Sequence, residues 1–280
     1  MLRKIVVTVL AACLLTGALC TTAMADNGSR VTIGADNSDD AVDTVYGYFR
    51  IDRGDVEELE VTNAQERALL GDLVPDTQIG DVALSCAYVE TRSSGGIELE
   101  SYNIKYVTDE MYKSALQTAG IKDAKVIVAA AKPVSGTGAL AGIYKAYEDM
   151  TGQKLDEEAK SVAAEELVIT GDLQEAIGSV SSDIMQDLKE KLKETKGMSD
   201  SEIRDTIRET AAEYNAELSD GWVEQILGLI KKMNELNIDP DTFLQLAKTG
   251  EGMQGFLAGV GDFFKGVGDF ITGLFGHSAN

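Results

Sequence analysis

The stretch from Thr118 to Tyr147, TAGIKDAKVIVAAAKPVSGTGALAGIYKAY, limits what this chain can fold into more than any other. Gly120 stops a helix. Lys125 to Ala130 then forms a short apolar run with few polar side chains on either face, the pattern of a strand buried on both sides. Pro133, Gly136 and Gly138 turn the chain, and a helix follows with Leu140, Ile143, Tyr144 and Tyr147 on one face. The stretch is therefore read as the centre of the main domain. It carries no catalytic signature.

The segments before it mix strands and helices. Val31 to Ile33 starts the fold, and a helix capped near Ser38 turns Val42, Val45 and Phe49 inward. Val56 to Val61 reads as a strand and Thr62 to Leu70 as a short helix. Val82 to Thr91 and Ile97 to Val107 read as a hairpin across Ser93-Ser94-Gly95-Gly96, with Val82, Leu84, Cys86 and Tyr88 as an inward set. In the second strand the apolar phase changes from Ile97 and Leu99 to Tyr102, Ile104 and Tyr106, which predicts a bulge. Asp109 to Ala119 reads as a helix with Met111, Tyr112, Ala115 and Leu116 on one face. The alternation of a doubly wound sheet is missing, so the expected class is α+β, a mixed sheet with helices packed on one face.

After Gly152 the pattern is helical. One helix starts at Asp156 and is expected to end near Gly171. Leu173, Ile177, Val180, Ile184, Leu188 and Leu192 continue a stripe broken around Gly178. Ser199 and Glu202 make a capping box, and Ser219 caps a helix that buries Trp222, Val223, Ile226, Ile230 and Met233. Asp239-Pro240 begins a short helix to Lys248. The expected layout is an α+β domain over 26–152, a helical bundle over 153–250 and a tail over 251–280.

The tail is a repeat, with VGDFFKG at Val260 followed seven residues later by VGDFITG. Met253, Val260, Val267 and Leu274 share one heptad position. Phe256, Phe263 and Phe270 lie three residues on, and Leu257, Phe264 and Ile271 four on. This is a Gly- and Phe-rich amphipathic helix with one wide apolar side. Six glycines within 253–275 cost that helix about 6 kcal/mol. Burial of eleven large apolar side chains returns roughly 16 kcal/mol. The segment is expected to order only on an apolar surface: its own body, a second copy or an envelope protein, or a membrane interface. Asp262, Lys265 and Asp269 disfavour a bilayer span.

The motifs VTNAQERALLG, VPDTQIG, YNIKYVT-EMY, TAGIKDAKV, PVSGT, AL-GI-KAYE and TGQKLDEEAKSVAAEELV together resemble the YpuA-like family of secreted Gram-positive proteins of unknown function. The similarity runs from about Val31 to Ala247. It implies a localisation and a domain extent and brings no catalytic residue. The tail after Gly250 and Cys86 depart from the family pattern.

Arg3 and Lys4, the apolar run Ile5 to Leu19 and the site Ala23-Met24-Ala25 read as a cleaved export signal over residues 1–25. Removing Arg3 and Lys4 leaves 23 basic side chains against 47 acidic ones, a formal charge of −24. Such a surface repels nucleic acid and argues against it as a partner. Cys86 alone remains after cleavage, so no disulfide forms within the chain, and it reads as a small core residue.

Chemistry is poorly supplied. The one histidine, His277, lies four residues from the end, which disfavours a Ser-His-Asp arrangement or a His-based metal site. The acids Asp36, Asp39, Asp40 and Asp43 miss the spacing of a calcium loop, with Gly47 where the bidentate Glu belongs. Ser135 is not in a nucleophile elbow, and Lys132 is its neighbour in sequence only. The turn Gly136-Thr137-Gly138 could hold an anion on backbone amides but lacks the Lys and Ser/Thr of a phosphate loop. No catalytic, cofactor or metal residue is assigned. The favoured reading is a non-enzymatic exported protein that binds at the envelope through its tail. The alternative is a carboxylate-based hydrolase of wall or extracellular polymer, which needs no histidine.

Overall fold

The computed structural model describes residues 28–71, 73–74 and 79–236. The export leader, the helix expected at Asp239-Pro240 and the tail lie outside the described residues.

The chain runs β1 (Ser29–Gly34), α1 (Asp39–Phe49), β2 (Glu57–Val61), α2 (Asn63–Leu70), β3 (Cys86–Thr91), β4 (Ile97–Ile104), α3 (Asp109–Thr118), β5 (Ala124–Val134) and α4 (Ala139–Thr151). The helical half follows as α5 (Glu157–Ile177), α6 (Val180–Glu190), α7 (Leu192–Thr195), α8 (Asp200–Glu213) and α9 (Asp220–Glu235). The class is α+β. Side-chain caps start the helices where the sequence places them: Ser38, Thr62, Thr108, Asp156, Ser199 and Ser219 each accept from a backbone N–H of the first turn. Thr62 with Gln65 and Ser199 with Glu202 close full capping boxes.

The five strands lie in the order β2-β1-β3-β5-β4. β1 is parallel to β2 and antiparallel to β3, and β5 is antiparallel to β3 and parallel to β4. The expected hairpin is therefore wrong: β5 inserts between β3 and β4. β3 and β5 are apolar on both faces and need a neighbour on each side. β4 carries Glu98 exposed on its second face and suits an edge. The connection from 92 to 96 crosses the start of β5, where Arg92 N–H donates to Asp123 O and Gly96 N–H to Asp123 Oδ1 (2.8 Å). Val82 is also not inward; it is 49% exposed, and β3 begins at Cys86.

On β5, Val126 and Val128 face one core while Ile127 and Ala129 face the other. α1 covers the second face with Val42, Val45, Tyr46 and Phe49 against Cys86 and Tyr88. Helices thus pack on both faces of the sheet, not one, as a strand apolar on both sides requires. The β4 ladder slips between Tyr102 and Ile104, with Asn103 at φ 60°. That extra residue returns Ile104 and Tyr106 to the side of Ile97 and Leu99 and leaves Tyr102 on the other.

α5 does not end at Gly171; it runs through to Ile177 and is capped at Gly178. Gly171 is there for packing, since a Cβ would overlap the Tyr106 ring, which rests on the helix and donates its hydroxyl to Asp172 Oδ1 (2.7 Å). α5 also serves two cores. Ala163, Ala164, Leu167 and Val168 join the sheet's helices, and Val162, Ile169 and Leu173 join the bundle of α6, α8 and α9.

Candidate functional site

Among the described residues two acidic side chains are buried, Glu166 and Glu66, each at the centre of a polar cluster, and the second lines a cleft. The closed one joins the two halves. Lys189 Nζ on α6 donates to Glu166 Oε1 on α5 (2.8 Å), to Ser114 Oγ (2.7 Å) and to Ser114 O (2.8 Å) on α3. Ser114 and Thr118 hydroxyls also donate to the Glu166 carboxylate. Both charged side chains are 1% exposed. Burial lowers the Lys189 pKa, and the Glu166 charge opposes that shift. A serine beside a lysine resembles a nucleophile and its base, but a nucleophile needs a cleft that admits substrate, and this cluster lies between packed helices. It holds the fold.

The open cluster surrounds Glu66. α2 begins at its capping box and presents Glu66 four residues before Leu70, on the inward side. The carboxyl lies against the turn between β5 and α4, where a Cβ at Gly138 would overlap it, so a larger residue there must displace the carboxyl. Glu66 is 3% exposed and receives one long hydrogen bond, Asn63 Nδ2 to Oε2 at 3.5 Å. Burial pushes its pKa up to about 7; the Asp36 charge adds to this, while the Asn63 bond and Arg67 oppose it. A cleft of about 320 Å³ opens beside it, lined by Ile79, Val82, Ser85, Ser135 and Thr137. Ser135 and Thr137 hydroxyls lie 3.3 Å apart. Asp36 is engaged elsewhere, accepting the Ala83 N–H at 2.7 Å.

The turn Gly136-Thr137-Gly138 therefore meets the protein's own carboxyl, which disfavours an external anion there. Ser135 faces the cleft, whereas Lys132 is exposed. Cys86 is buried and accepts from Asn37 Nδ2 (3.5 Å), and burial pushes its thiol up to about 11, against reactivity. The tail positions Met253, Phe256, Leu257, Val260, Phe263, Phe264, Val267, Phe270, Ile271 and Leu274 lie outside the described residues. Among the described residues, no three His, Cys, Asp or Glu side chains group as metal ligands would, and no helix is long and apolar enough to cross a membrane. Sequence reasoning missed Glu66. Its signal was an acid three and four residues before Leu69 and Leu70, on the stripe that should be apolar.

The chain is 36% identical over 213 residues to an uncharacterized protein, YpuA, of Bacillus subtilis (strain 168), an alignment covering 75% of this chain and 73% of that one. No solved structure matches it. Residues 33–249, from the end of β1 through the bundle, match the family model described as a protein of unknown function (DUF1002), and the chain belongs to that family.

Proposed function

We propose that the protein is exported, acts at the cell envelope or outside the cell without catalysing a reaction, and binds a partner through its C-terminal amphipathic segment. The observation that carries this reading is the state of the body's apolar surface. Among the described residues, Val82 is the one large hydrophobic side chain left exposed. Folded domains keep larger apolar patches for partners, and this body offers none of its own. The heptad stripe from Met253 to Leu274 is a regular apolar pattern outside that body. The leader at Arg3 to Ala25 supports export, and the formal charge of −22 suits an acidic soluble surface.

The hydrolase reading is weaker. Two-carboxylate hydrolysis needs a second carboxylate across the scissile bond from the first. Asp36, the acid that acts on Glu66, is held by the Ala83 N–H. The test compares the mature chain with one ending at Gly250, by sedimentation and by flotation with neutral and anionic vesicles. Loss of self-association or of flotation supports the binding role. A lowered melting temperature with neither change would make the tail part of the core and overturn it.

A further inference from the structure

The cleft beside Glu66 has no part in that reading, and its chemistry is one-sided. Glu66 is 3% exposed at the cleft, and among the described residues Asn63 supplies its one hydrogen bond, with no donor on Oε1. Burying a carboxyl without donors is costly, so what the cleft lacks is N–H groups or positive charge. Among the described residues, its surroundings supply only the Asn63 amide and the Arg67 charge. Asp36, in the loop after β1, is a like charge, and Cys86 and Tyr112 feel the same carboxylate as neutral groups. Arg67 on α2 is the nearby cation, but its guanidinium donates to Asn63 Oδ1 (2.8 Å), Gly80 O (2.6 Å) and Asp81 Oδ1 (3.4 Å). The rest of the lining brings the Ser135 and Thr137 hydroxyls, bonded to each other at 3.3 Å and each with acceptor capacity, and an apolar wall in Ile79 and Val82.

The geometry points to a binding site for a primary ammonium group on a short apolar stem, with Glu66 as its counter-ion, Ser135 and Thr137 as acceptors, and Ile79 and Val82 along the stem. An ammonium has three donors and no acceptor, which matches this lining. An anion would meet Glu66 and Asp36. A neutral hydroxyl would leave the carboxylate without a counter-charge. The net charge of −22 concentrates cations around the protein and favours their encounter.

Three probes on one carbon chain separate these chemistries: butylammonium, butanol and butyrate, titrated into the full chain and followed by amide chemical shifts of Gly136, Thr137 and Gly138. Butylammonium is expected to saturate these shifts, and butanol and butyrate are not. The ligand keeps its charge below about pH 10, so the pH dependence belongs to the protein. With Glu66 titrating at about 7, apparent affinity should fall about a hundredfold from pH 8 to pH 5, because only the ionised form is competent. Glu66→Gln keeps the shape and should abolish saturation. Equal binding of butanol, pH-independent binding, or a folded E66Q that binds like the parent overturns the assignment. If E66Q does not fold, the pH series on the parent chain decides alone.

Discussion

Replacing Lys189 by Met tests what holds the sheet half to the bundle. Lys189 and Glu166 are 2.8 Å apart with both side chains 1% exposed, so solvent screens neither. Removing one partner of such a pair leaves an uncompensated buried charge, which costs about 3–5 kcal/mol. The Ser114 and Thr118 hydroxyls still donate to Glu166 in the variant, which sets the expectation at the lower end, about 3 kcal/mol. At a urea m-value of about 2 kcal/mol/M, the midpoint should fall by about 1.5 M. Trp222 on α9 reports the bundle by fluorescence, and far-UV circular dichroism reports both halves. Replacing both partners, K189M with E166Q, removes both charges and should recover more than half of the loss. A K189M loss under about 1 kcal/mol, or a double variant no better than the single, would refute the view that the charge pair matters through its burial.

Gly171→Ala must displace the Tyr106 ring and should destabilise by about 1–3 kcal/mol, whereas Gly228→Ala on α9, with no atom within 4 Å of the new Cβ, should stabilise by about 1 kcal/mol; thermal melts of the two variants check the contrast. Glu66 gives a pH effect of known sign. Its folded pKa is raised to about 7 from an unfolded value near 4.5, so the native state binds the extra proton, and its contribution to stability declines as pH rises through that window, by about 3 kcal/mol. Urea midpoints of the parent and of E66Q at pH 5 and pH 8 should therefore diverge, with the variant relatively more stable at pH 8. Cys86 should resist thiol reagents in the native protein and react at once in denaturant, by mass spectrometry of quenched samples. Because α5 supplies both cores, fluorescence and circular dichroism should report one coincident unfolding transition.

Local signals in the sequence were reliable where the physics is local. The caps at Ser38, Ser199 and Ser219, the apolar faces of α1 and α3 and the bulge near Asn103 depend on neighbours within a few residues, and each is legible. Pairing is not local. The turn 93–96 between two alternating strands is the usual hairpin signal, and it misled because a third strand with stronger demands lies 28 residues beyond Gly96 in β5. A five-residue connection can span two strand spacings of about 4.8 Å, so nothing in its length forbids the insertion. Gly171 misled for a related reason: a glycine late in a helical pattern marks a stop or a close approach, and only the Tyr106 ring distinguishes them.

The two buried polar clusters share a mark that is readable in one dimension. Glu66 lies on the stripe of Leu69 and Leu70, Glu166 between Ala163 and Ile169, and Lys189 next to Leu188 and one turn before Leu192. A charge on an apolar stripe is costly to bury, so each such residue must find a partner in the fold or a ligand outside it. Glu166 and Lys189 find each other across α5 and α6, and their role ends in structure. Glu66 finds only a distant amide nitrogen and a cleft. The sequence pattern can therefore nominate the residues, but their separation into structural and binding groups depends on whether the counter-charge lies within the chain. Among the described residues no cation is hydrogen-bonded to Glu66, and Arg67 acts on it only through its charge, so replacing that one carboxyl by an amide while keeping its shape, with the butylammonium titration as the readout, tests the distinction directly.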